Sequence, residues 1–136
     1  MRNNTVFDVN IWLSYFISGK SEEIIDMIEN NDVVFYRSAE LMSELKEVIQ
    51  RPKFAKYFSG GTEKYVWFVE QVTELLPTQA IFDQCPDPKD NYLFDLAYQS
   101  YSDFLVSGDK KLLAVPVRQP LKLLSLSAFK AAIGII

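Results

Sequence analysis

Acidic residues follow two apolar runs of the kind that forms buried strands. Asp8 comes directly after the run at residues 5–7, and Asp109 comes after the run at residues 104–107 and Gly108. Short continuous apolar runs are typical of strands that are covered on both faces. In open α/β sheets, ligands bind in the crevice beyond the carboxyl ends of the strands. We therefore expect Asp8 and Asp109 to point into one crevice.

Two further acids lie on or near the core-facing sides of predicted helices. Asp87 and Pro88 fit the start of a helix that runs to about Ser100, and at about 100° per residue Asp90 falls on its apolar face. The same count predicts that Asp95 points to water. On the helix predicted for residues 38–50, the acid nearest the apolar seam is Glu44.

A cluster of these four carboxylates would need a cation or strongly raised pKa values. Two carboxylates 4 Å apart repel by about 4 kcal/mol at an effective dielectric constant of 20. The chain has no His and a single Cys, which excludes imidazole catalysis and thiolate metal sites. Oxygen-only ligands suit Mg²⁺ or Mn²⁺, which can activate water and neutralise charge on a phosphate. The residues therefore indicate phosphodiester hydrolysis.

Strands and helices alternate along the chain that must position these acids. Strands are predicted at residues 5–7, 33–36, 104–107 and 121–124, and residues 78–84 are expected to be extended. Helices are predicted at residues 11–18, 21–30, 38–50, 62–76, 88–100 and 110–113, and at the C-terminus. Asn10, Ser21, Ser38 and Ser127 are the predicted N-caps. The β-α-α-β spacing at the start is typical of a right-handed crossover in a parallel sheet.

Composition indicates one globular domain, residues 1–136. A chain of 136 residues with 49% hydrophobic residues can bury a core and is not disordered. Its start lacks the apolar run of a signal peptide, and no stretch approaches the ~20 apolar residues of a membrane span. We expect a cytoplasmic protein without membrane contact. The net charge of -4 argues against unspecific nucleic-acid binding but allows a local basic rim.

Four segments, in this order, resemble the PIN-domain ribonucleases. They are VFDVN at residues 6–10, ELKEVIQRPKF at 44–54, DPKDN at 87–91 and VSGDK at 106–110. More narrowly, the pattern is similar to the VapC-like toxins of bacterial toxin-antitoxin systems. The resemblance covers essentially the whole chain. It implies a three-layer α/β/α sandwich with a parallel sheet of four or five strands, a Mg²⁺- or Mn²⁺-dependent endoribonuclease activity on RNA, a cognate antitoxin and a homodimer.

The resemblance also assigns roles to residues. The family's acidic quartet, which holds the metal and performs catalysis, is matched by Asp8, Glu44, Asp90 and Asp109. Asn10 matches the polar residue that steadies the first acid, and Ser107 matches the hydroxyl before Gly-Asp. The chain departs from the pattern at Val9, where Thr is usual, and at Lys111, where a further acid often stands. Val9 removes a hydroxyl near the metal, and Lys111 adds a positive charge near the pocket.

Ordinary structural interpretations exist for each of these residues taken singly. Asp90 fits a helix-capping carboxylate, Asp8 a turn residue, Asp109 a helix cap and Glu44 a solvated helix acid. Only the order and spacing of all four favour a joint site. Basic residues are candidates for RNA phosphate contacts or are simply solvated: Arg51, Lys53, Lys56 and Lys110.

The other aromatic residues and the thiol are predicted to be structural. Trp12, Tyr15, Phe16 and Trp67 are expected in the core or in dimer contacts, and Cys85 is expected to be an inert buried thiol.

Two alternative functions remain at this point. A receiver-like signalling domain needs an acid pair after the first strand and an acceptor Asp after a central one, and Phe7-Asp8 and Phe35-Tyr36 supply neither. A PIN-like RNA- or partner-binding module that has lost catalysis is left open by Val9 and Lys111.

Overall fold

Five short parallel strands form the centre of the molecule, in a computed structural model that describes residues 2–135. The strands are β1 (Asn3–Phe7), β2 (Val33–Arg37), β3 (Thr73–Leu75), β4 (Phe104–Val106) and β5 (Lys122–Leu124). Their order across the sheet is β3-β2-β1-β4-β5, and every neighbouring pair is parallel. The direction of strand addition reverses between β1 and β4. In folds of this kind, that switch point is where ligands bind.

Helices flank the sheet and connect its strands. They are α1 (Val9–Ser18), α2 (Ser21–Asn30), α3 (Ala39–Ile49), α4 (Glu63–Val72), α5 (Asn91–Gln99), α6 (Lys110–Leu113) and α7 (Leu126–Ala132), with 3₁₀ turns at Pro52–Tyr57 and Pro88–Asp90. The predicted α/β sandwich with a parallel sheet is confirmed, with five strands. Within the described residues, no helix is both long and apolar enough to span a bilayer.

Aromatic side chains fill the core between β1 and its covering helices. The ring of Phe7 lies 4.6 Å from that of Phe35, 5.3 Å from Trp12 and 5.6 Å from Phe129, measured between ring centroids. All four side chains are fully buried. Because each buried aromatic contributes roughly 1.5–3 kcal/mol, this cluster fixes β1 and therefore the position of the residue that follows it.

Three of the four aromatic residues expected in the core or in dimer contacts lie in the core, and for the fourth the dimer contact stays a prediction. Trp12, Tyr15 and Phe16 are buried, whereas Trp67 on α4 is 61% exposed and does not belong to the core. Cys85 is half-buried, and burial, together with nearby carboxylates, raises the pKa of its thiol to about 11. A thiol that remains protonated at neutral pH is a poor nucleophile, which agrees with an inert role.

The predicted helix at residues 62–76 was too long. It ends at Val72, and Thr73–Leu75 forms the edge strand β3, paired with β2. The Arg37 guanidinium donates to the carbonyl oxygen of Thr73 at 2.7 Å and to its Oγ1 at 3.0 Å. Apolar residues at 72, 75 and 76 fit helical spacing, so periodicity could not show that pairing with β2 would prevail.

Three predicted N-caps were wrong and one is confirmed. Asp8, not Asn10, caps α1, and Ser125, not Ser127, caps α7 by accepting the Ala128 N–H at 3.2 Å. Ser21 lies inside α2 without a capping bond, while Ser38 caps α3 as predicted. Neighbouring polar residues compete for the cap position, and the tertiary path of the chain decides between them.

Residues 79–85, hereafter the strap, run antiparallel to α5 and are bound to it by side chains. The prediction that Asp95 points to water was wrong, because its side chain is 5% exposed and accepts the Ile81 and Phe82 N–H groups at 3.0 and 2.8 Å. Asn91 Oδ1 accepts the Cys85 N–H at 3.0 Å, and Gln99 exchanges two bonds of 2.8 Å with the backbone of Gln79. The strap is therefore held against α5 and is not part of the sheet.

Candidate active site

Asp8 is a buried carboxylate at the switch point of the sheet. Its backbone N–H donates to the Val106 carbonyl oxygen at 2.9 Å, which holds it beside the end of β4. The side chain is 7% exposed. Ser107 Oγ donates to Asp8 Oδ2 at 2.8 Å, and the Asn10 N–H makes a long contact of 3.5 Å to Oδ1. Burial raises the pKa of Asp8, and the charge of Asp109 raises it further. The hydrogen bonds from Ser107 and Asn10 lower the pKa, but by less.

Ser107 links Asp8 to Asp109. Its fully buried Oγ accepts the Asp109 N–H at 3.0 Å while donating to Asp8. The exposed Asp109 side chain caps the short helix α6 by accepting the Lys111 N–H at 2.9 Å. One hydroxyl thus fixes the side chain of the first acid and the backbone of the last.

Asp90 is a half-buried acid whose pKa is raised by the charges of several other acids. It ends the 3₁₀ turn Pro88–Asp90, directly before α5. Burial raises the pKa of Asp90 to about 6, with further contributions from the other three predicted acids and from Asp87. Asp90 and Asp109 line one cavity, and Ser107 joins Asp109 to Asp8, so the fold brings these three acids together.

Glu44 is held by a residue that sequence reasoning missed. The Tyr92 hydroxyl on α5 donates to Glu44 Oε2 on α3. Burial raises the pKa of the half-buried Glu44, the bond from Tyr92 lowers it, and the charge of Asp8 raises it further. Burial and Glu44 together raise the pKa of Tyr92, which therefore remains a donor. On a helical wheel, Tyr92 lies about 200° from Asp90, so only the packing of α3 against α5 could have revealed the pair.

A cavity of about 190 Å³ opens beside Asp90 and Asp109. Its lining consists of the end of the strap, the turn that follows it and the start of α6: Cys85, Pro86, Asp87, Asp90, Asp109, Lys111 and Leu112. Lys111 therefore lies near the acids, as its place in the sequence indicated. Val9, in contrast, is buried in the core.

The donor set fits a hard divalent ion held through water. Within residues 2–135, no three acidic or Cys side chains come close enough to hold an ion jointly. Mg²⁺ usually retains several waters and takes only one or two carboxylates directly, so a closed cage is not required. Asp8 uses few of its roughly four acceptor positions, and every candidate ligand is a carboxylate oxygen. This chemistry suits Mg²⁺ or Mn²⁺.

The remaining candidates lie on the surface. The Asn10 side chain is exposed, and its contact with Asp8 is through the backbone alone. Arg51 forms an exposed ion pair of 2.8 Å with Glu47, and such pairs contribute little and exchange readily. Lys53 lies over the Phe54 ring at 5.0 Å, and Lys110 is exposed.

Comparison with known proteins identifies relatives along most of the chain. The family profile described as PIN domain matches residues 4–111, a range that includes all four predicted acids. The uncharacterized protein MJ1680 of Methanocaldococcus jannaschii is 27% identical over 114 residues, which are 81% of this chain and 73% of that protein. No solved structure shows a significant match.

Proposed function

Because this chain belongs to the PIN domain family, whose members are typically nucleases, we propose that it is a Mg²⁺- or Mn²⁺-dependent endoribonuclease that hydrolyses RNA phosphodiester bonds. The observation that supports this most directly is that Ser107 joins Asp8 to Asp109 at the switch point of the sheet, and that Asp109 and Asp90 line one cavity there. Acids that raise one another's pKa beside a cavity are typical of functional sites.

Asp8, Glu44, Asp90 and Asp109 are the residues proposed to hold the ion and to carry catalysis. A bound Mg²⁺ or Mn²⁺ would lower the pKa of a water ligand and neutralise charge that develops on the phosphate. The chain itself supplies orientation. Ser107 binds the side chain of Asp8 and the backbone of Asp109, and Tyr92 binds one carboxylate oxygen of Glu44. Ser107 and Tyr92 therefore act as positioning residues.

Basic residues near the cavity are proposed to bind the RNA backbone. Lys111 lines the cavity, and Lys110 is its exposed neighbour. Arg51 and Lys53 are exposed on the segment that follows α3, the helix that carries Glu44. Lys and Arg contacts to phosphates give affinity without sequence preference.

The biological setting of the proposal is a toxin paired with an antitoxin, in the cytoplasm and as a homodimer. This part rests on the resemblance of the four segments to VapC-like toxins. Co-purification of the chain with the product of a neighbouring gene would support it, and sedimentation of the purified chain as a monomer would remove the dimer.

A second candidate function is RNA or partner binding without catalysis. Lys111 favours it, because an ammonium group in the same cavity as Asp90 and Asp109 could balance their charge in place of a metal. Calorimetric titration separates the two functions. RNA binding without Mn²⁺ binding would support the second candidate.

The decisive test of the nuclease proposal is cleavage of a labelled RNA by the full chain with Mn²⁺. We expect Asp8→Asn and Asp109→Asn each to reduce the rate on the order of a hundredfold or more, the scale on which loss of one charge-stabilising group acts. Asp26→Asn, on the exposed face of α2, is the matched control and should cleave normally. Undiminished cleavage by both site variants would end the proposal.

A further inference from the structure

The edge of the sheet opposite the acids carries a second surface with chemistry of its own. Its residues lie before or at the start of strands, or near the end of α5: Arg2, Tyr98, Tyr101, Arg118 and Lys122, hereafter the amino-edge patch. Two cavities of about 260 and 230 Å³ lie along it and share Pro120 in their linings. The N–H groups of Asp103 and Lys122 donate to the carbonyl oxygens of Asn4 and Asp103, which ties the starts of three strands together there.

Tyr101 has a backbone conformation that is unfavourable for a bulky residue, and its side chain is not buried in return. It follows the end of α5 with a φ of 53°, where the Ser102 N–H donates to the Ala97 carbonyl oxygen at 2.9 Å. Glycine is the usual residue at this kind of helix end, and a positive φ is an outlier for a bulky side chain. The side chain is nevertheless 84% exposed. Strain of this kind, retained without a stabilising contact, indicates function.

The planar guanidinium group of Arg118 stacks on Tyr98, a second aromatic residue of the patch. Its guanidinium lies over the Tyr98 ring at 4.9 Å, and its backbone N–H donates to the Tyr98 hydroxyl at 3.0 Å. In the described part of the chain, no carboxylate lies within ion-pairing distance of Arg118, Arg2 or Lys122. Asp103 lines the same cavity as Arg2 and Lys122, where its Oδ2 accepts the Asn4 N–H at 3.1 Å. The patch therefore carries three cations against one carboxylate on a chain of net charge -4, and this local positive excess suits an anionic ligand.

Helix α5 connects this surface to the acidic site. Asp90 directly precedes the helix, and Tyr101 follows two residues after its end. Nine residues at 1.5 Å each span about 14 Å, which corresponds to about four stacked nucleotides at ~3.4 Å each. No residue of α5 is exposed, because the strap covers this helix. A single strand of RNA lying over the exposed side of the strap would therefore reach both ends.

We propose that the amino-edge patch is a second binding site for single-stranded RNA, outside the bond that is cleaved. One base stacks on Tyr101, and the flanking phosphates contact Arg118, Lys122 and Arg2. Aromatic platforms bordered by basic side chains bind single strands with little sequence preference. The assignment of RNA as ligand rests on the proposed function.

The test compares RNA affinity with thermal stability in the same variants. Fluorescence anisotropy of a labelled single-stranded RNA of about eight nucleotides is measured with the full chain and a chelator, so that no cleavage occurs. Tyr101→Gly should raise the melting temperature, because it relieves the positive φ, and should weaken binding by about 5- to 100-fold, as loss of one base–aromatic stack does. A merely structural residue would move both quantities in the same direction.

Charge variants give a second readout. Arg118→Gln should reduce the dependence of log affinity on log salt by about 0.7, the contribution of one phosphate contact to a single strand. Trp67→Ala and Lys46→Gln remove an exposed aromatic ring and an exposed charge outside the patch, and should bind RNA like the wild type.

Three results would overturn the proposal. These are unchanged affinity in Tyr101→Gly and Arg118→Gln, absence of RNA binding by the wild type, and a patch-dependent change in sedimentation without RNA, which would assign the surface to contacts between copies of the chain. Cleavage by the wild type with unchanged affinity in the variants would remove this site alone. Lost affinity in the variants without any cleavage by the wild type would remove the nuclease proposal and retain this site.

Discussion

Two buried carboxylates, Asp8 at the end of β1 and Asp95 on α5, differ in what surrounds them rather than in burial. Asp8 is 7% exposed and Asp95 is 5% exposed. Asp95 receives two backbone N–H groups from the strap. Asp8 receives one hydroxyl and one long amide contact, and it raises the pKa of Glu44 and Asp90. Burial alone therefore does not distinguish the two acids, whereas neighbouring acids and unused acceptor positions do.

The contrast between Asp8 and Asp95 depends on a structural role for Asp95, which substitution of Asp95 tests. We expect Asp95→Ala to lower the free energy of unfolding by about 2–3 kcal/mol, because two N–H groups lose their acceptor. Asp95→Asn keeps the Oδ1 atom that accepts both bonds and should recover most of the loss. Urea unfolding of both variants checks this. Equal stability of Asp95→Ala and the wild type would contradict a structural role for Asp95.

Substitution of Ser107 tests the surroundings of Asp8, the other acid in this comparison. Ser107→Ala removes the hydroxyl that joins Asp8 to Asp109, so we expect RNA cleavage to fall about 10- to 100-fold, as is usual for residues that orient metal ligands. Thr73→Val is the matched control, since it removes another buried hydroxyl, which donates to the Val69 carbonyl oxygen at 2.6 Å, away from the acids and from the amino-edge patch. Equal rates in the two variants would contradict the positioning role.

Metal binding should distinguish the two acids without any measurement of activity. At Mn²⁺ concentrations tenfold above its dissociation constant, binding stabilises the folded chain by about 1.4 kcal/mol. We expect a rise of about 3–6 °C in the melting temperature of the wild type and of Asp95→Asn. Asp8→Asn should show no rise. A shift in all three proteins would place the ion elsewhere.

The pH dependence of stability gives the smallest expected effect. Burial, with the neighbouring acids, raises the pKa of Asp90 from 3.8 to about 6. The folded state therefore binds the proton more tightly than the unfolded state, and it loses stability as pH rises through this window. Asp90→Asn should therefore gain stability relative to the wild type from pH 4 to pH 7. The gain should be on the order of 1 kcal/mol, because solvent screens a half-buried group. A stability difference between Asp90→Asn and the wild type that does not change with pH would contradict this prediction.

The sequence predicted the strands that carry the site, because continuous apolar runs end in polar residues where β1 and β4 end. It failed at β3, where the spacing of Val72, Leu75 and Leu76 fits a helix as well as a strand. It also placed Asp95 in water, since a helical wheel shows where a side chain points but not whether a distant segment returns to cover it. Tyr92 was missed for the same reason, because its partner Glu44 lies 48 positions away.

The length of helix α5 is constrained by the strap that it binds. Asn91, Asp95 and Gln99 are spaced four residues apart and share one side of the helix. One inserted residue between them would rotate the later members by about 100°, so that the strap would detach at several points together. An insertion at the exposed residues Asp83 and Gln84 could instead bulge into solvent. Natural length variation in this region should therefore accumulate in the strap and spare the helix.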